Sequence, residues 1–161
     1  MMLKVNDQIP NTEIYELIDG EPQTKKLNEI LGKHKIILFG VPGAFTSTCS
    51  KLHLPGFIAN AEKIKAKGIK NIFCLSVNDP YVMNAWGEVN NANDKIKMLS
   101  DPYLFFTKAI GAEIDRNSKG MGVRSKRYTM VIENLKVVSI QVEKETKQCS
   151  LSSAETILDI L

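Results

Sequence analysis

The sequence predicts one α/β domain with a mixed central sheet and helices on both faces. Two continuous apolar runs, KIILFGV at 35–41 and NIFCLSV at 71–77, are typical of strands buried on both faces. Segments with helical periodicity alternate with these runs, and two β-rich runs close together near the end of the chain predict a hairpin. Because no repeat, low-complexity stretch or linker divides residues 1–161, we predict a single domain.

The individual elements follow from local signals along the chain. After an extended region around Ile14, the predicted elements are a helix at 27–31, the strand at 35–41, a helix from Cys49 to Gly68, the strand at 71–77, a helix at 81–89, a strand at 97–99, a helix at 103–110, hairpin strands at 127–133 and 137–143, and a helix ending at 161.

Turn and cap residues support these boundaries. Pro55 and Gly56 predict a bend within the helix that follows Cys49. Asp79 is expected to cap the helix at 81–89. Ser152 and Glu155 have the spacing of a capping box and are expected to open the last helix.

Composition excludes several classes of protein. Hydrophobic residues make up 43% of the chain and charged residues 24%, and no apolar run approaches the ~20 residues of a membrane span. Twenty-one Lys and Arg against 18 Asp and Glu give a net charge of +3, with the lysines scattered, so nucleic-acid binding gains no support.

The cysteine count and the first residues indicate a reducing compartment. Three cysteines are too few and too odd in number for a secreted disulfide framework. The opening MMLKVNDQIP has neither the apolar core of a signal peptide nor the Arg-rich pattern of a transit peptide. We therefore expect a cytoplasmic protein.

The loop PGAFTST places Cys49 where a buried strand gives way to a helix. Free backbone N–H groups and the helix dipole favour a thiolate in the first helical turn. Full ionisation raises the thiolate fraction of an ordinary cysteine at pH 7 only about thirty-fold, so other groups must stabilise a transition state. Thr46, one turn earlier, can contact both sulfur and substrate oxygen, and Pro42 stiffens the loop.

A charged partner for the thiol is expected in GVRSKRY. If 127–133 is a strand, Arg127 and Thr129 share one face, and an inward arginine would hold a thiolate and bind an oxygen-rich substrate through its planar fork. His53, four residues after Cys49, raises the alternative of a Cys-His thiol hydrolase.

The other two cysteines differ in their surroundings. Cys74 lies within an apolar strand, whereas Cys149 lies in the polar segment KETKQCS. The three cysteines show no Cys-x-x-Cys pairing, so no metal site is predicted. No Gly-x-Gly-x-x-Gly or P-loop pattern is present, and we expect no metal, flavin or nicotinamide cofactor.

Four motifs in order resemble the peroxiredoxin 5-like (type II) peroxiredoxins over essentially the whole chain. They are VPGAFTSTCSKLHLPGF at 41–57, CLSVNDPYVMNAW at 74–86, RSKRYTMVIE at 124–133 and CSLSSAETIL at 149–158. The resemblance implies a thioredoxin-like fold and the reduction of hydrogen peroxide and small alkyl hydroperoxides by a cysteine. It implies the reductants thioredoxin, or glutaredoxin with glutathione, and homodimerisation.

The resemblance also implies roles for individual residues. Pro42, Thr46 and Cys49 match the Pro-x-x-x-Thr-x-x-Cys motif, with Cys49 as the peroxidatic thiol. Arg127 matches the active-site arginine, with Arg124 as the second choice. Cys149 matches the resolving cysteine of animal-like members and Cys74 that of plant-like members. We favour Cys149 because its polar segment can move.

A peroxidase cycle is the resulting hypothesis. Cys49 becomes a sulfenic acid, which condenses with the resolving thiol to an intramolecular disulfide. The rival from another class is a thioredoxin-like redox sensor or binding module, in which Cys49 is oxidised but not rapidly recycled.

Overall fold

The structure is a computed structural model that describes residues 2–161. Its strands are β1 (Glu13–Ile18), β2 (Glu21–Lys26), β3 (Lys35–Val41), β4 (Ile72–Ser76), β5 (Lys97–Ser100), β6 (Glu113–Asp115), β7 (Val123–Ser125), β8 (Tyr128–Glu133) and β9 (Lys136–Val142). Its α-helices are α1 (Leu27–Leu31), α2 (Leu54–Ala66), α3 (Pro80–Val89), α4 (Phe105–Ala109) and α5 (Ala154–Ile160). None of the helices in the described part of the chain is long and apolar enough to cross a membrane.

Seven strands form one mixed sheet in the order β2-β1-β5-β4-β3-β8-β9. The central strands β5, β4 and β3 are parallel, and antiparallel partners flank them on each side. Strand β3 lies between β4 and β8, with Phe39 opposite both Cys74 and Thr129. The carboxyl end of β3 therefore lies in the middle of the sheet, at the edge where ligand sites of α/β folds form.

Alternate residues of the central strands supply two apolar cores. Ile37, Phe39 and Val41 pack with α2, α3 and α5 on one face. Ile36 and Leu38 pack with α1 and α4 on the other face. The predicted mixed sheet with helices on both faces is confirmed, because each buried strand has two apolar faces to cover.

Two hairpins frame the sheet. The predicted hairpin β8-β9 turns through Asn134 and Leu135, whose φ values of 51° and 63° give a two-residue turn. Strand β2 was not predicted, because all its residues are exposed and show no apolar alternation. The signal that could have found it is the Asp19-Gly20 turn, where φ is 51° and 80°.

The helix that carries Cys49 begins with a distorted turn. Residues 47–48 are α-helical, and Cys49–His53 then form a π-helical turn in which the Leu54 N–H bonds to the Cys49 carbonyl. Pro55 follows Leu54. A proline has no N–H to donate, and its ring clashes with the carbonyl four residues earlier in a regular α-helix. The wider π-helical turn relieves this clash. The irregularity thus lies one turn before the bend predicted at Pro55 and Gly56.

Of the two helix caps that the sequence predicts, the cap of α3 is confirmed and the cap of α5 is wrong. The Asp79 carboxylate accepts a hydrogen bond from the Val82 N–H and caps α3, as predicted. The capping box at Ser152 and Glu155 is wrong: Ser153 caps α5 through the Thr156 N–H. Ser152 is instead buried, with its hydroxyl bound to Glu143.

Candidate active site

Cys49 lies in the first turn after β3, as the sequence predicts. Its side chain is fully buried. Arg127, immediately before β8, donates a hydrogen bond from Nη2 to Cys49 Sγ at 3.0 Å. Arg127 is itself 1% exposed, so its contact with the sulfur lies in a buried environment.

Two further contacts fix the Arg127 guanidinium. Its Nε donates to the Thr146 carbonyl at 3.0 Å, and its Nη1 lies 2.9 Å from His53 Nδ1. With the bond to Cys49, three of the five N–H groups of the Arg127 side chain are thus used within the protein. The other two make no hydrogen bond to the described residues.

His53 is held as a neutral tautomer by its partners. Arginine only donates, so His53 Nδ1 accepts from Arg127. A carbonyl only accepts, so Nε2 carries the proton and donates to the Ser152 carbonyl at 3.0 Å. Burial and, to a smaller extent, the charge of Arg127 together lower the pKa of His53 from its ordinary 6.5 to about 3, against the opposing effect of its hydrogen bond to the Ser152 backbone.

The geometry does not form the Cys-His pair of the hydrolase alternative. Both nitrogens of His53 are bonded to other groups, and Arg127 holds the thiol. With a pKa of about 3 the imidazole is a poor proton acceptor at neutral pH. Cys49 and His53 lie at the two ends of the same π-helical turn, and both side chains contact Arg127.

The lowered pKa of His53 predicts an acid-sensitive fold. The pKa is 6.5 when unfolded and about 3 when folded, so the unfolded state binds more protons between these values. The free energy of unfolding therefore falls as pH drops from 6.5 toward 3, by at most about 1.4 kcal/mol per pH unit from this residue. The matched control is His53→Gln, which is uncharged in both states. Urea unfolding across this range should show a shallower pH dependence for the variant, and equal slopes would contradict the assignment.

A small pocket opens beside the start of the Cys49 helix. Its volume is about 100 Å³, enough for a molecule with a few heavy atoms, and its lining includes Pro42, Thr46 and Arg127. Cys49 is not among the lining residues, but Arg127 contacts both the pocket and the sulfur. The Thr46 hydroxyl donates to the Gly43 carbonyl at 2.6 Å, so its oxygen stays free to accept a hydrogen bond from a ligand.

Two residues that are not among the predicted site residues hold the loop before Cys49 and the start of the Cys49 helix in place. Asn78, just beyond β4, accepts hydrogen bonds from the Ala44 N–H at 2.9 Å and from the Ser76 hydroxyl at 2.6 Å. Trp86 on α3 donates from its indole to the Ser50 hydroxyl at 3.0 Å. The position of Asn78 at the carboxyl end of a strand next to β3 is the signal that could have identified it.

Arg124, the second choice for the active-site arginine, does not line the pocket but contacts two residues that do, Met121 and Pro42. Its Nε donates to the Met121 carbonyl at 2.9 Å, and its Nη1 lies 3.4 Å from the Pro42 carbonyl. Arg124 thus stabilises the backbone of the loop that begins at Pro42 and has no hydrogen bond to the Cys49 thiol. The geometry therefore favours Arg127.

The segment 143–152 packs against the start of the Cys49 helix. The Lys147 carbonyl accepts from the Thr48 hydroxyl at 3.2 Å, and Thr146 contacts Arg127 as described. Cys149 is half-buried there. Burial raises the pKa of its thiol to about 11, and the carboxylate of Glu143 acts in the same direction while the charge of Arg127 opposes it.

Cys74 is fully buried in β4 and packs in the same apolar core as Cys49. Burial holds the pKa of its thiol well above the ordinary value, and the neighbouring Cys49 raises it further. None of the three cysteines forms a disulfide in this structure. Within residues 2–161, no group of three or more His, Cys, Asp or Glu side chains is arranged to hold a metal ion.

Comparisons with known proteins agree with this architecture. The Redoxin family model matches residues 4–158. The chain is 44% identical over 160 residues to peroxiredoxin-2D of Arabidopsis thaliana, covering 99% of this chain and 98% of that protein. Reduced Prx3 of Vibrio vulnificus, solved in complex with H2O2, superposes with a TM-score of 0.93 at 43% identity, covering 99% of each chain. Peroxiredoxin 5 of Alvinella pompejana gives a TM-score of 0.85 at 33% identity, covering 97% of this chain and 96% of that one.

These matches span nearly the full length of the chain and confirm the predicted thioredoxin-like fold and the predicted family. They do not favour the sensor or binding-module alternative. The chain belongs to the Redoxin family, within the peroxiredoxin 5-like (type II) peroxiredoxins, and is a thiol-dependent peroxidase.

Proposed function

We propose that Cys49 is the peroxidatic residue and that Arg127, Thr46 and Pro42 form its active site. The contact between Arg127 Nη2 and Cys49 Sγ at 3.0 Å in a buried site carries the proposal. The Cys49 thiolate attacks one peroxide oxygen, the O–O bond breaks, and the departing oxygen takes a proton to leave as water or alcohol. The sulfur is thereby oxidised to a sulfenic acid. Stoichiometric peroxide consumption that is absent in Cys49→Ser tests the assignment.

The proposed catalytic roles follow from the hydrogen-bonding capacity of each group. The unused N–H groups of Arg127 stabilise negative charge as it moves onto the oxygens, aided by the backbone N–H of Cys49. The free acceptor on the Thr46 oxygen orients the peroxide through its O–H. Pro42 has no N–H and lines the pocket without competing for the peroxide. Hydrogen peroxide and small alkyl hydroperoxides are the proposed substrates, which a pocket of about 100 Å³ supports.

We propose Cys149 as the resolving cysteine. Its half-buried position in a polar segment supports the movement that a disulfide requires, because Cα atoms must approach within about 7 Å. Cys74 is the second candidate, since it shares an apolar core with Cys49. In the Cys149 scheme the start of the Cys49 helix or the segment 143–152 must open in each cycle.

The two cysteine-to-serine variants discriminate between the resolving candidates. Cys149→Ser is expected to oxidise Cys49 at the normal rate in the first turnover and to lose recycling by a disulfide-specific reductant. Cys74→Ser is the matched control and should cycle normally. Steady-state turnover after a measured first turnover checks both, and the reverse pattern would assign resolution to Cys74.

The family implies a peroxide substrate and a thiol reductant. We further propose thioredoxin, or glutaredoxin with glutathione, as the reductant, a cytoplasmic location and a homodimer. Three cysteines are too few and too odd in number for a secreted disulfide framework, which supports a reducing compartment. The homodimer is proposed from the family resemblance alone.

A further inference from the structure

The Glu143 carboxylate is buried and accepts hydrogen bonds from the residues that follow Cys149. It follows β9 directly and is 6% exposed. It accepts the backbone N–H groups of Ser150, Leu151 and Ser152 at 2.9 to 3.2 Å, and the hydroxyls of Ser150 and Ser152 at 3.3 and 2.8 Å. Burial opposes its ionisation, but these hydrogen bonds outweigh burial and hold the pKa of Glu143 below its ordinary value.

A chain of directed hydrogen bonds leads from this carboxylate to the thiol. Ser152 is bound to Glu143 through its N–H and hydroxyl, and its carbonyl accepts from His53 Nε2 at 3.0 Å. His53 Nδ1 therefore accepts from Arg127 Nη1 at 2.9 Å. Arg127 Nη2 then points to Cys49 Sγ at 3.0 Å. The direction of each hydrogen bond is determined, because the Ser152 carbonyl can only accept and the Arg127 guanidinium can only donate.

The same segment holds the Arg127 guanidinium from a second side. The backbone N–H of Glu143 donates to the Arg127 carbonyl at 3.0 Å. The Thr146 carbonyl accepts from Arg127 Nε at 3.0 Å. The fold of residues 143–152 thus determines where both the backbone and the side chain of this arginine lie.

We infer that Glu143 is a positioning residue for the attack of Cys49 on peroxide, acting through Ser152 and His53 on the Arg127 guanidinium. The inference rests on the proposed role of Cys49 and Arg127 and adds a group that touches neither sulfur nor substrate. The planar Arg127 guanidinium must contact both the sulfur and a small peroxide, so its orientation has to be fixed by hydrogen bonds to its other partners.

Glu143→Gln tests this role with little change in shape. The amide keeps one accepting oxygen, but its NH2 group only donates and must face N–H or O–H donors of Ser150 or Ser152. We expect the single-turnover rate constant for Cys49 oxidation by hydrogen peroxide to fall about tenfold. We also expect faster solvent exchange of the His53 Nε2 proton in NMR spectra, which general loosening far from His53 would not cause.

The matched control is Glu145→Gln, two residues along. Glu145 is exposed, and its carboxylate forms an ion pair with the exposed Lys147 at 3.4 Å. Its rate constant and the His53 signal should equal those of the wild type. Ser152→Ala is the second test variant, since it removes one hydroxyl from Glu143 and keeps the backbone; its rate constant should fall in the same direction by a smaller factor.

The outcomes separate this inference from the proposed function. An unchanged rate constant in a Glu143→Gln variant with wild-type thermal stability overturns the positioning role while Cys49 and Arg127 keep theirs. If Glu143→Gln fails to fold, the Ser152→Ala variant decides, and an unchanged rate constant there overturns the inference. A wild-type protein whose Cys49 is not rapidly oxidised overturns both.

Discussion

Replacing Cys49 by serine is expected to abolish peroxide consumption. The serine hydroxyl does not ionise near neutral pH and lacks the nucleophilicity of a thiolate, so the step that forms the sulfenic acid is lost. The activity should fall by at least about a thousandfold, to the level of unselective oxidation at other side chains. Peroxide consumption by the pre-reduced variant, measured against time, checks this.

Cys149→Ser is the control for the Cys49 experiment, because it removes a thiol without touching the Arg127 contact. It should consume one equivalent of peroxide per chain as fast as the wild type. Retained multiple turnover in Cys49→Ser would show that another residue carries the chemistry.

Removing the Arg127 side chain is expected to have the second largest effect. Arg127→Ala deletes the donor to Cys49 Sγ and leaves His53 Nδ1 and the Thr146 carbonyl without their partner. Loss of a donor aimed at developing charge in a buried site costs about 10²- to 10³-fold in rate. We expect at least this loss in the single-turnover rate constant. Arg127→Lys should lie between, because it keeps the charge and loses the planar fork.

Arg124→Ala is the matched control for Arg127. Arg124 bonds to the carbonyls of Met121 and Pro42 and has no hydrogen bond to Cys49. Its removal should lower the rate constant less than tenfold, through loosening of the loop. A larger loss in Arg124→Ala than in Arg127→Ala would mean that the active-site arginine has been misassigned.

The sequence predicts those parts of the fold that have a strong apolar pattern. Strands β3 and β4 are buried on both faces and were visible as continuous apolar runs. The exposed strand β2 and the π-helical turn at Cys49–His53 were not visible. The first depends on backbone pairing with β1, and the second on how the helix accommodates Pro55.

Within the site, the sequence predicts the residues that a local motif or strand pattern places beside Cys49. It does not predict the residues that only the path of the folded chain brings there. The alternation in 127–133 placed Arg127 and Thr129 on one face, and the structure puts both on the Cys49 side of the sheet. The spacing of His53 and Cys49 suggests a partner for the thiol, whereas the His53 side chain binds Arg127. Glu143 and Ser152 lie far from Cys49 in sequence, and their role depends on the path of the segment between β9 and α5.

The most direct test of the account is to mix the reduced protein with one equivalent of hydrogen peroxide, quench rapidly, and map the oxidised peptides by mass spectrometry. We predict fast loss of peroxide with oxidation confined to Cys49, first as a sulfenic acid and then as a Cys49 to Cys149 disulfide. A Cys49 to Cys74 disulfide would keep the peroxidase and change the resolving residue. Slow oxidation spread over all three cysteines would contradict the assignment of Cys49 as the peroxidatic residue.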